Sequence, residues 1–198
     1  MHKNIKLISL ILALILVFSL CACGSAESAA EKVVNTYTEA AKAYDLEKMK
    51  SCLADTGSQE GSQTPGAFDA DLIYVMKSWL AKMEYSIKET VVSGDTAKVT
   101  VAYTYIDAKD FMNSVYIQFA ADINDRTQSG EQLTEEEILT IFLDHLYQAQ
   151  QYSMPLVADA DVVFTLTKTN RGWKISKLSE SAEAVFSCNL TEFFNELM

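Results

Sequence analysis

Few side chains in this chain are equipped for chemistry. Beyond His2, the chain has one histidine, His145. An imidazole works as a general base when a carboxylate orients it. Asp144 is its neighbour, but adjacent residues point to different faces of a helix, so a structural histidine at an apolar boundary is the competing reading. Asp159 and Asp161 alternate in one run. Paired carboxylates do acid–base work or hold Ca²⁺, yet Ala158, Ala160 and Val162 make the opposite side apolar and turn the acids toward water. Asp107 closes a run that holds Tyr103 and Tyr105. The end of a strand is where a carboxylate reaches a pocket mouth, so these three and His145 are the candidate ligand contacts. Tyr37, Tyr44 and Trp79 either line the same cavity or are plain core. No catalytic residue is assigned. The sequence has no serine elbow, no glycine-rich phosphate loop and no Cys-His pair, and nothing in it calls for a cofactor. Cys21-Ala22-Cys23 has the wrong spacing for zinc, so no metal site is expected.

The elements that must position these residues follow from periodicity. Ala30, Val33, Val34, Tyr37, Ala41 and Tyr44 recur at helical spacing, and Asp45 is placed to cap a second helical segment with Leu46, Met49 and Leu53. The stretch 55–66 is rich in Gly, Ser, Gln and Thr and reads as a loop. A helix is expected over 69–83. The period then changes to two. Tyr85, Ile87 and Val91 form one strand, Ser93-Gly94-Asp95 turns, and Ala97 to Tyr105 return. Helices follow at 110–124, with Phe111, Val115, Phe119 and Ile123 inward, and from the capping box Thr134-Glu135-Glu136-Glu137, with Ile138, Leu139, Phe142, Leu146 and Ala149 along one side. Strands at 157–168 and 173–177 flank Asn170-Arg171-Gly172, and an amphipathic end carries Leu190, Phe193, Phe194 and Leu197. Helices, two strands, helices and two strands make an α+β domain, in which an antiparallel sheet of about four strands is packed on one face by helices.

Composition narrows the partners. Of 198 residues, 49% are hydrophobic and only 2 are Pro, so the chain can build a real core. Its net charge is −11. Such a surface repels phosphate backbones and anionic headgroups, which argues against nucleic acid as a partner.

The N-terminus is organised differently. Lys3 and Lys6 precede fourteen residues, Leu7 to Leu20, that are apolar except for Ser9 and Ser19. That is short for a membrane span and has the form of a secretory signal. Leu20-Cys21-Ala22-Cys23-Gly24 resembles the lipobox of bacterial lipoproteins, with Cys21 an uncommon choice at its position. The resemblance implies cleavage after residue 22 and a diacylglyceryl group on Cys23. The chain then divides into a signal at 1–22, a tether at 23–28 and one domain at 29–198. Cleaved or not, the basic start places the domain on the outer face of the cell membrane. Removing Lys3 and Lys6 leaves 14 basic against 27 acidic residues, or −13, so the lipid rather than a basic patch must hold the protein there.

Two segments resemble NTF2-like (cystatin-like) domains. One is Val33 to Asp55, with Tyr37, Ala40-Ala41 and Tyr44-Asp45. The other is the hairpin Val163 to Ile175, with Gly172-Trp173-Lys174-Ile175. The long helical insert at 110–152 is similar to that of uncharacterised Gram-positive lipoproteins of this type. The resemblance implies a curved sheet around a conical pocket. It also implies early helices lying over the sheet, where Cys52 could meet Cys188 in a disulfide; two buried thiols are the alternative. The leading expectation is a non-enzymatic, lipid-anchored module that binds a small ligand or an envelope protein. A pocket enzyme acting on a small apolar substrate and an accessory subunit of an envelope complex are the alternatives. Cys23→Ala should abolish metabolic labelling with a palmitate analogue, and equal labelling of wild type and variant would remove the anchor.

Overall fold

The computed structural model describes residues 26–54 and 70–197. The first helix, α1, covers 26–42 and buries Ala30, Val34, Tyr37 and Ala41, the face its spacing marks out. Tyr44 adopts a left-handed φ of 56° and reverses the chain. Asp45 then caps α2 (Leu46–Cys52), its Oδ1 accepting from the Lys48 N–H at 3.0 Å. Beyond α2, Leu53 bridges in parallel to Ile175, and the Ala54 N–H donates to the Ile175 carbonyl at 2.8 Å. The next helix, α3 (Ala70–Leu80), buries Val75, Met76, Trp79 and Leu80.

Four strands follow: β1 (Glu84–Ser93), β2 (Thr96–Asp107), β3 (Leu156–Thr169) and β4 (Gly172–Leu178). They lie in the order β1-β2-β3-β4 and are antiparallel throughout. Gly94 (φ 59°) and Gly172 (φ 95°) sit where the two hairpins need positive φ. One face is apolar and covered: Ala97, Val99, Val101, Tyr103 and Tyr105 of β2, Val162, Phe164 and Leu166 of β3, and Trp173 and Ile175 of β4. The other face carries Lys98, Asp159 and Asp161, all exposed, as the alternation of β3 requires. The α+β class and the one-sided packing are therefore as read. The strand β1 corrects one detail. A bulge between Ile87 and Glu89 inserts Lys88, and after it Thr90 and Val92 share the inner face with Ile87 while Val91 opposes Lys98 and is 51% exposed.

Between β2 and β3 the chain builds a helical hairpin, α4 (Lys109–Gln128) and α5 (Glu135–Tyr152). The capping box opens α5: the Glu137 N–H donates to Thr134 Oγ1 at 3.3 Å, and the Thr134 N–H donates to Glu137 Oε2 at 2.8 Å. Early in α4, Phe111, Met112 and Val115 reach the core; on α5, Ile141 and Leu146 are buried, whereas Leu139 is 41% exposed and not inward as expected. Phe119 and Phe142 hold the two helices together edge to face at 5.5 Å. After β4 come α6 (Glu180–Phe186), which the periodicity did not reveal, and α7 (Leu190–Leu197), whose Leu190 and Phe193 are buried. Trp173 is buried directly after its glycine turn. Trp173→Ala should cost about 3–5 kcal/mol, read as a lowered urea midpoint; an unchanged midpoint would remove Trp173 from the core.

Candidate functional site

The space between sheet and helices, where a pocket was expected, is filled by rings. Tyr37 of α1 meets Phe186 of α6 at 5.2 Å and Phe164 of β3 at 5.9 Å, and Tyr103 of β2 meets Phe186 at 5.5 Å, all edge to face. The Tyr103 hydroxyl is within 2.6 Å of Thr38 Oγ1, and Thr38 has no exposed surface. Burial pushes the Tyr37 phenol up to about 12 and that of Tyr103 higher still. Tyr105 is buried too, and burial raises its phenol, with Asp107 adding to the effect. Tyr103 is thus a core residue, packed against the ring arriving from α6 and bonded to Thr38 of α1, and Tyr105 is buried farther along β2.

Asp107 is spent on the fold. Its Oδ1 accepts from the Lys109 N–H at 3.1 Å as α4 begins, and its Oδ2 accepts from Asn189 Nδ2 at 3.0 Å. The Ala108 N–H donates to the Cys188 carbonyl at 2.9 Å. Cys188 and Asn189 both have left-handed φ, 53° and 59°, so this clasp holds two strained residues at the junction of α6 and α7.

His145 does find a carboxylate, from α4. Its Nε2 lies 3.1 Å from Asp122 Oδ2, while Arg126 Nε donates to Asp122 Oδ1 at 2.7 Å. The guanidinium bond first, and the His145 contact second, hold the Asp122 carboxyl below its usual range. The group is partly exposed on the α4–α5 seam and lies outside the groove described below. It ties the two helices. Asp159 and Asp161 do not act as a pair either: Asp159 Oδ1 accepts from Thr104 Oγ1 at 2.6 Å, and Asp161 holds Lys88 Nζ at 2.7 Å.

Cys52 and Cys188 are free and buried. Of the two readings of this pair, a bridge or two buried thiols, the second describes them, for a reason of distance. Leu53, next to Cys52, bridges Ile175, which pairs with Leu166, opposite Ala97 near the start of β2. Cys188 is bonded at Ala108, beyond the end of β2. About eleven residues at ~3.3 Å each separate these levels, against the ~7 Å that a disulfide spans. Burial, with Asp107 close by, pushes the Cys188 thiol up to about 12, and burial also raises Cys52; both are poor nucleophiles. Cys23 lies outside the described residues. Among those described, no group of three or more His, Cys, Asp or Glu is arranged to hold a metal ion, and no helix is long and apolar enough to cross a membrane.

One concavity opens outward at the far end of the sheet. A groove of about 440 Å³ lies where α4 starts, α5 ends and β3 begins, floored by Phe111 and Ala149 and sided by Asp110, Ser114 and Gln148. Its rim is apolar and exposed: Tyr152 is 87% exposed, Met154 61% and Leu156 64%, and Val157 next to them 66%. None of the sequence candidates lines it. The run Tyr152-Ser153-Met154-Pro155-Leu156-Val157 carried the signal as an apolar stretch interrupted by a proline, which read only as a boundary.

No family model matches the chain, and no curated protein matches it. Among solved structures, the crystal structure of a candidate dehydratase from the NTF2-like family of Streptomyces avermitilis aligns with a TM-score of 0.37 and 12% identity, covering 78% of this chain and 94% of that one. The α+β class rests on strand order and one-sided packing, independently of that likeness.

Since the Thr38 and Tyr103 hydroxyls pair in a buried site, Tyr103→Phe should leave the Thr38 hydroxyl unpaired and cost about 1–3 kcal/mol, and the double variant Thr38→Val with Tyr103→Phe should recover part of that loss. Urea unfolding of the cycle measures both; strictly additive losses would show that the bond contributes nothing.

Proposed function

We propose that this chain is a lipid-tethered, non-catalytic module of NTF2-like type, which binds a partner protein on the outer face of the cell membrane. One observation carries the reading: Tyr37, Tyr103, Phe164 and Phe186 pack against one another between sheet and helices, and an outward groove has an exposed apolar rim. A pocket enzyme needs an enclosed, water-poor site for its substrate. A rim of exposed Tyr, Met and Leu suits a protein surface. The NTF2-like assignment is supported by the order of elements, a capped helix pair, a hairpin, a helical insert and a hairpin ending in Gly-Trp-Lys-Ile.

Geometry fits an anchor at Cys23. Early in α1, Glu31 Oε1 accepts from Thr90 Oγ1 at 2.8 Å, and Thr90 pairs with Val99. The groove adjoins Leu156, which pairs with Asp107. Eight residues of β2 separate these levels, roughly 25 Å. With an anchor joined to the start of α1, the groove would lie at the far end of the sheet from it, which supports a site open to envelope proteins.

A benzoylphenylalanine photocrosslinker replacing Tyr152, in cells making the full chain, should trap one defined protein adduct. Adding Met154→Asp and Leu156→Asp should abolish it, and a crosslinker at Ser93 should give none. Equal adducts from both positions, or none from Tyr152, would sink the reading.

A further inference from the structure

Sheet edges are sites of uncontrolled pairing, and two of the edges here are managed. On β1 there is a bulge with Lys88 at it, and charged Glu84 and Glu89 are exposed along it. The edge of β4 is occupied by Leu53 and Ala54 at Ile175. A third edge arises because β3 is longer than β4, which ends at Leu178 opposite Phe164. Just beyond that point serines replace the strand. The Val163 N–H donates to Ser179 Oγ at 3.1 Å, the Val163 carbonyl accepts from the Ser179 N–H at 3.1 Å, and the Asp161 carbonyl accepts from Ser181 Oγ at 2.6 Å. These bonds fix direction: Val163 and Asp161 point away from β2. With a period of two, Asp159 and Val157 present their N–H and C=O groups on the same side. No described strand or loop pairs with them there.

We propose that this open edge, Val157 to Asp161, takes an extended segment of a partner protein by strand addition, and that the segment carries lysine or arginine between apolar residues. The proposal rests on the protein-binding reading above and names its partner class. An unpaired strand edge selects an extended chain, because only a strand satisfies its alternating donors and acceptors. Apolar alternation follows from Leu156 and Val157, 64% and 66% exposed at the edge and continuous with the groove rim. Charge follows from the surroundings. Asp110, Asp159 and Glu180 are exposed nearby on a chain of net charge −11. Two nearby cations are engaged, Lys88 with Asp161 and Lys109 with Glu192 and Glu196.

The test uses the full chain in nonionic detergent and a fluorescein-labelled nine-residue peptide alternating valine and lysine, with a valine–glutamate counterpart. Anisotropy should show binding of the lysine peptide at least tenfold tighter than the glutamate one. Amide exchange at Val157 and Asp159 should slow at least tenfold in the complex. Val157→Pro removes one outward N–H and none of the bonds to β2, so it should weaken binding at least tenfold. Unchanged exchange in wild type, or wild-type affinity in Val157→Pro, overturns strand addition. If Met154→Asp with Leu156→Asp abolishes binding while Val157→Pro does not, the groove reading survives alone; if neither matters, both fail. A dimer that protects the same amides without peptide would make the occupant a second copy and overturn the proposal.

Discussion

Tyr103 sits where four elements meet, and the packing of the domain depends on how it is satisfied. Its ring needs burial, and its hydroxyl needs a partner that does not admit water. Thr38, one residue after Tyr37 on α1, supplies that partner, and this bond and the one from Thr90 to Glu31 seat α1 on the sheet. With α1 placed, Tyr37 presents its edge to Phe164 and Phe186, and α6 closes over the same rings. A pocket in this position would require α6 to retreat and expose three rings. Fully burying a ring of this size contributes roughly 1.5–3 kcal/mol. The closed interior is therefore the stable arrangement of this sequence.

The Asp107 clasp is the second constraint. It joins the end of β2, the start of α4 and the α6–α7 junction through one carboxylate and one backbone bond. The helical insert thereby leaves the sheet at a fixed angle, and the corner that carries the groove is set by it. Functional exposure and structural rigidity meet here: Asp110, three residues after the clasp, already lines the groove.

What was legible in the sequence was local. Alternation revealed both hairpins, and Thr134 with Glu137 announced the start of α5, because both signals arise between near neighbours. The bulge at Lys88 was not legible. Nothing in Ile87-Lys88-Glu89 marks an extra residue, and its effect appears only as Val92 taking the inward place expected of Val91. The partner of His145 was equally hidden. Asp122 lies 23 residues earlier, and the two meet only because α4 and α5 fold back on each other. The short α6 has too few turns for a period to show, yet it supplies Phe186, which closes the interior. Where the resemblance implied a pocket, that residue packs against Tyr37, Tyr103 and Phe164.

The open edge of β3 has a cause as well. The helical insert enters between β2 and β3, so β3 pairs with β2 from Leu156 to Thr167. The chain after Leu178 is instead drawn across the inner face, because Ala182, Val185 and Phe186 must cover Tyr103 and Phe164. Continuing β4 beside Asp161 and Asp159 would have paired those backbone groups but left the rings without a cover. Covering the rings buries more apolar surface than two or three ladder bonds return, since a hydrogen bond nets only about 1 kcal/mol. Ser179 and Ser181 satisfy the backbone groups nearest the departure, and those beyond remain for solvent or a partner. The same residues that close the interior to a small ligand thus open the edge to a chain.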